Sequence, residues 1–250
     1  MILVVGPGGN GQTYFMDFLI ENKISINDHN DKDCLKHMPS PLNIPNNVNI
    51  EKCIFLYNHP YYCLLSHYRR KWALKQCKKL GNPFKLRNEQ IQDFNTFKEL
   101  TLKHNKDIYG IENQFVNWLT LKPSFPILFL NFKEVLDKKD ILDNFLGVKL
   151  DYTNFKEESR HTYITDELYP IYDSLFEYMK SKINMYKYIP NESNINMYKY
   201  VPTLSIDKCQ RNGCKFKVHT NIQNNGGTHC CRSCKDRNSH GPACEGQLID

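Results

Sequence analysis

No apolar run in the 250-residue sequence approaches the roughly 20 residues of a membrane span. No signal-peptide core precedes the first apolar run either, which passes directly into glycine-rich sequence, so a soluble, cytoplasmic protein is expected. Charge of one sign is also scarce. The net charge is +6, and from Thr203 onward seven Lys/Arg stand against four Asp/Glu, so neither part is strongly basic and nucleic acid is not an expected partner. Carboxylates are missing where a nucleotide-hydrolysing enzyme needs one to help hold magnesium. The later apolar runs end in Leu56-Tyr57-Asn58 and Phe129-Leu130-Asn131, which disfavours ATP or GTP hydrolysis.

What is present begins at the N-terminus. Ile2 to Val5 reads as a strand buried on both faces. Gly6 to Thr13 then holds four glycines and one proline, a backbone free to curl so that its amides point inward on an anion. An amphipathic segment with Phe15, Phe18 and Leu19 follows, so the loop delivers its guest to a helix N-terminus. The spacing is that of a phosphate-binding loop, Gly-x-x-x-x-Gly-Lys-Ser/Thr, with Gln12 in the lysine's place. Binding of a phosphate through Gly8, Gly9, Asn10, Gly11, Gln12 and Thr13 is therefore expected without the usual cation.

Further along, the first helix should end near Glu21-Asn22, and prolines at 39, 41 and 45 forbid a helix there. Cys53 to Tyr57 reads as the second strand. Tyr61 to about Lys79 lacks proline and glycine and predicts one long helix with Leu64, Leu65, Tyr68 and Trp72 on a face. Residues 81–105 are polar and irregular, weakly helical around Phe94 to Lys103, and predict a mobile region that covers a site. Ile108 to Leu121 predicts a helix, Ile127 to Leu130 a third strand, Asp140 to Leu146 a short helix stopped by Gly147, and Leu168 to Lys182 a last helix. The alternation predicts an α/β fold, a parallel sheet flanked by helices with a ligand at the C-terminal strand edges.

Over about residues 1–190, with the domain itself placed at 1–183, these features resemble the sulfotransferases that use 3′-phosphoadenosine 5′-phosphosulfate (PAPS), whose P-loop-like fold binds a nucleotide without hydrolysing it. The first loop maps on Gly8 to Thr13, which the resemblance assigns to the 5′-phosphosulfate. Pro60 and Ser66 keep the spacing of the family's 3′-phosphate signature, and Tyr68-Arg69-Arg70 continues it. Ile127 to Leu130, Phe132 to Leu136 and Phe145-Leu146-Gly147 follow one another in family order, with Ile108-Tyr109 and Trp118-Leu119 before them. Lys36-His37-Met38-Pro39 is similar to the segment carrying the catalytic histidine, so the resemblance makes His37 the general base. Two cations depart from the pattern. Asn58 stands at the 3′-phosphate arginine and Gly9 near the loop lysine, which leaves Ser66, Arg69 and Arg70 to hold the 3′-phosphate. The resemblance implies sulfuryl transfer from PAPS, leaving 3′-phosphoadenosine 5′-phosphate (PAP), to a hydroxyl or amine acceptor, a carbohydrate among the options. A phosphate-binding or scaffold protein that keeps the fold without catalysis is the alternative, and a nucleotide kinase a weaker one.

Asn184 to Pro190 recurs as Asn196 to Pro202, a duplication read as a linker over residues 184–205. Beyond it, in residues 206–250, six of the ten cysteines gather where hydrophobic residues are too sparse for a core, so a cross-link must replace one. Cys209, Cys214, Cys231 and Cys234 form a set able to meet one zinc ion, with Cys230, His240 and Cys244 left for a second cross-link. A reducing compartment favours zinc, and three disulfides are the other solution. This tail resembles those on enzymes of large DNA viruses of protists, which implies a host cytoplasm or a virion.

Overall fold

The computed structural model describes residues 1–121, 123–156 and 166–184. Three parallel strands, β1 (Ile2–Val5), β2 (Lys52–Tyr57) and β3 (Ile127–Asn131), lie in the order β1-β2-β3, with Leu3 opposite Cys53 and Cys53 opposite Ile127. The helices are α1 (Gln12–Glu21), α2 (Pro60–Arg69), α3 (Ala73–Lys79), α4 (Asn88–Gln92), α5 (Phe94–His104), α6 (Ile111–Thr120), α7 (Lys139–Leu146) and α8 (Tyr169–Asn184). Successive strand residues point to opposite faces, and the sheet therefore serves two cores. Leu3, Val5, Phe55 and Phe129 pack with Phe115 and Trp118 of α6 on one side. Val4, Ile54, Leu128 and Leu130 pack with Phe15 and Phe18 of α1 and Phe145 of α7 on the other. Burial on both faces is why these strands read as unbroken apolar runs. Among the described residues no helix is long and apolar enough to cross a membrane.

Three segments differ from the sequence expectation. The helix expected from Tyr61 to Lys79 is divided into α2 and α3 by Lys71, whose φ is 58°, and the Trp72 amide closes the turn on the His67 carbonyl at 2.8 Å. The cause is a slip in the buried stripe. Tyr61, Leu64 and His67 face inward from α2, but the next inward residues are Ala73, Gln76 and Cys77, a phase that one straight helix cannot present. Trp72 is left 49% exposed with the Arg70 guanidinium over its ring.

In residues 81–105 the helix expected around Phe94 to Lys103 is present as α5, and it is preceded by the short α4, which the sequence reading did not include. Ile91 of α4 and Phe97 of α5 are fully buried, and the Tyr68 hydroxyl donates to the Ile91 carbonyl at 2.7 Å. Finally, the proline stretch holds one 3₁₀ turn, Pro41–Asn43, because proline is tolerated in a first turn and the Ser40 hydroxyl accepts from the Leu42 amide. Asn184, the first residue of the expected linker, ends α8, and the rest of the linker and the Cys-rich tail lie outside the described residues.

Candidate functional site

The β1–α1 loop is held in shape by side chains that point away from any ligand. Asn10 is fully buried, donates from Nδ2 to the Leu56 carbonyl at 2.6 Å and accepts the Gln12 amide on Oδ1 at 3.1 Å. Gln12 turns inward too, its Nε2 donating to the carbonyls of Val4 at 3.1 Å and Lys36 at 3.0 Å. The residue that replaces the loop lysine is thus a brace between β1 and the β1–β2 connection. Two glycines are dictated by this packing. A Cβ on Gly9 would fall 2.8 Å from the Cys63 carbonyl of α2, and Gly11, at φ 87°, would drive one to 2.6 Å from the Phe132 ring. The Gln12 amide is engaged by Asn10, but the amides of Gly8, Gly9, Gly11 and Thr13 have no hydrogen-bond acceptor among the described residues. These residues lead into and open α1, at its positive end.

The cation missing at position 12 arrives from elsewhere. Lys36 is only 4% exposed, and its Nζ donates to Thr13 Oγ1 at 2.8 Å and to the His29 carbonyl at 2.6 Å. Burial lowers its pKa, with Asp31 and Asp17 pulling the other way. An ammonium beside a helix N-terminus is electrostatically unfavourable unless an anion joins them. The segment around Lys36 is fixed by α6, since Gln114 Nε2 and Trp118 Nε1 both donate to the Met38 carbonyl at 2.9 Å.

His37 follows Lys36 and lies against the loop. Its Nδ1 meets the Gly6 carbonyl at 3.0 Å, and since a carbonyl only accepts, Nδ1 carries the proton and Nε2 is left as the lone pair. Burial brings its pKa down to about 4, against the Gly6 hydrogen bond, so the ring is neutral at physiological pH. Ser66 is 3% exposed and its Cβ would be 3.1 Å from a Cβ on Gly9, so α2 packs this serine against the loop. Arg69 and Arg70 are exposed just before the turn at Lys71, Arg70 over the Trp72 ring and near enough to His67 to act on its charge. Asn58 is half-buried, and its Oδ1 accepts the His59 amide at 2.7 Å.

Two residues of this site were not legible as such. In the sequence Lys36 is merely the neighbour of His37, and no motif marks His67, one position after Ser66. His67 is 1% exposed, and a Cβ on Gly8 would lie 3.1 Å from its Nε2 and 3.0 Å from His37 Cε1, so two imidazoles flank the loop at Gly8. Burial, reinforced by His37 and Arg70, brings the His67 pKa down to about 3. His59 belongs to a different place, bonded to Asp173 at 3.2 Å and stacked on Tyr169 where α2 meets α8. The zinc ligands Cys209, Cys214, Cys231 and Cys234 lie outside the described residues, and among the described residues no group of three metal-ligating side chains converges.

No family model matches this chain, and neither a curated protein nor a solved structure does.

The two neutral imidazoles make acid stability a measurable property of the site. Both have folded pKa values depressed below 6.5, so the unfolded chain takes up more protons as pH falls, and stability is lost from about pH 6.5 downward through the folded values. With two such groups the slope approaches 2.7 kcal/mol per pH unit at most, twice the ~1.36 kcal/mol of one group. Urea midpoints measured between neutral pH and the folded His37 value should fall accordingly. A midpoint that is flat over that interval would mean that the rings are charged or solvated in the native state.

Proposed function

We propose that the loop from Gly8 to Thr13 seats the phosphate of a nucleotide-like ligand, and that the protein is a sulfotransferase-like enzyme moving a sulfuryl group from PAPS to a hydroxyl or amine acceptor. One observation carries this reading: unpaired loop amides, the Lys36 ammonium and a neutral His37 meet at one helix N-terminus. In that chemistry His37 Nε2 takes the proton of the acceptor's hydroxyl or amine as the new bond to sulfur forms. Lys36 and the loop amides stabilise the charge that gathers on the departing phosphate oxygen. The strand ends favour transfer over hydrolysis of a nucleoside triphosphate. β2 is followed by Asn58 and β3 ends in Asn131, so an amide rather than a carboxylate closes each strand, and the nearby Glu134 carboxylate is paired with Lys138.

The alternative, a phosphate-binding scaffold without turnover, is favoured by Asn58, which stands at the family's 3′-phosphate arginine with its Oδ1 taken by the His59 amide. Calorimetric titration with PAP and with ATP separates the readings. PAP should bind and ATP should not, and Gly11→Val, which closes the loop against Phe132, should weaken PAP by about tenfold or more, the scale of lost charge-assisted bonds. Preference for ATP supports a kinase-type site. Unchanged PAP affinity in a folded Gly11→Val protein removes the loop from the binding site.

A further inference from the structure

One carboxylate joins Lys36 to α3. Asp31 Oδ1 accepts the Lys36 backbone amide at 3.0 Å, and Oδ2 is paired with the Lys79 ammonium. The carboxylate is almost out of water, its side chain being 8% exposed against 26% for Lys79. Asp31 also closes the turn from Asp28, whose carbonyl accepts its amide at 2.9 Å, at a φ of 61° that aspartate and asparagine tolerate better than most side chains. The far end of Lys36 returns to the same turn, at the His29 carbonyl. Against the burial that discourages charge on Lys36, Asp31 favours the ammonium most, ahead of Asp17 of α1 and of Asp28, and Lys79 opposes it. Asp17 is itself bonded to the His29 ring at 2.7 Å, and Asp28 accepts the Asn30 amide at 2.6 Å. Asp31 and Lys79 act on the neutral His37 as well, so both lie beside the site.

Two residues that neutralise each other thus act on a third in opposite senses. We propose that Asp31 and Lys79 are positioning residues for the phosphate site: Asp31 fixes the Lys36 segment and sustains the ammonium that reaches Thr13, and Lys79 limits the negative charge left to act on Lys36. The inference rests on the reading that the loop seats a phosphate, and adds that the strength of its cation is set from α3, outside the loop. A purely structural ion pair makes a different prediction. Loss of either partner would then loosen the same tie and act in one direction.

The test measures the PAP affinity of the full chain by calorimetry from about pH 8 upward, where the phosphates of PAP are fully ionised and only protein groups titrate. Affinity should fall as Lys36 loses its proton. Asp31→Asn keeps an oxygen for the Lys36 amide and suits the same backbone turn, and should move that fall to lower pH by about one unit, the scale of one close opposite charge. Lys79→Met keeps the buried stem and frees Asp31, and should move the fall to higher pH. Carbon-13 NMR of the Lys36 side chain, assigned with Lys36→Met, should show the same opposite displacements in the free chain. If the wild type binds PAP while both variants move the fall in one direction, or neither moves it, the role of the pair is overturned and the loop reading stands. If the wild type does not bind PAP, the loop reading falls, and the Lys36 titration in the free chain decides the pair: displacements of opposite sign uphold the charge balance, and displacements of one sign overturn it too. Where Asp31→Asn fails to fold, Lys79→Met alone carries the sign, and a fall moved to lower pH overturns the pair.

Discussion

Gln12→Lys, the substitution that would complete a phosphate-loop motif, is expected to destabilise the protein by about 3 kcal/mol and to leave PAP binding no tighter. The motif alone predicts the reverse. In the structure, however, residue 12 is 3% exposed and its amide nitrogen ties the end of β1 to the Lys36 carbonyl. A lysine there loses the amide geometry, brings a charge out of water, and sets that charge near the ammonium of Lys36 at the same helix N-terminus. The consequence should extend to the neighbouring segment, because the Lys36 carbonyl also accepts the Gly6 amide at 3.1 Å. Urea unfolding and PAP calorimetry on one preparation check the two effects together. An unchanged midpoint with tighter PAP binding would mean that residue 12 faces the ligand, and the brace would have to be abandoned.

The same residue shows what the sequence carried and what it did not. Glycines 8, 9 and 11 announced a curled loop because their need for small size and left-handed backbone is local. Strands were legible for a similar reason: burial on both faces writes itself as an apolar run, as in Cys53 to Tyr57. Gly147, at φ 78°, ended α7 where expected. The direction of the Gln12 side chain was not legible, since it depends on carbonyls of residues 4 and 36 that only the fold brings near. Lys36 illustrates the same limit from the other side. The motif asks for a cation at one position in the chain, while the chemistry asks for one at a point in space, and a lysine 23 residues beyond Thr13 reaches it. The break at Lys71 was hidden because no proline or glycine marks it; the cause is a phase slip between His67 and Ala73, visible only once the buried residues are known. His67 escaped for want of its partner, Tyr109, which lies 42 residues away.

Lys36→Met is expected to lower phosphate or PAP affinity by ten- to a hundredfold, the loss of one or two charge-assisted hydrogen bonds of about 1.5–3 kcal/mol. The effect on the free protein should have the opposite sign or be near zero. A lysine whose folded pKa is lowered is charged at a cost to stability, a cost present at neutral pH and relieved as pH rises through the folded value. Methionine keeps much of the buried stem and removes the charge. In the wild type the cost is offset when an anion joins the ammonium and the amides of the α1 N-terminus, so phosphate should raise the melting temperature of the wild type by mass action and raise that of Lys36→Met far less. Melting curves with and without phosphate, at neutral and at alkaline pH, separate the contributions: the free-protein difference between wild type and variant should shrink at alkaline pH. If Lys36→Met instead melts much earlier while binding phosphate as tightly as the wild type, the ammonium serves as a structural tie between Thr13 and the His29 carbonyl, and the anion must find its cation elsewhere.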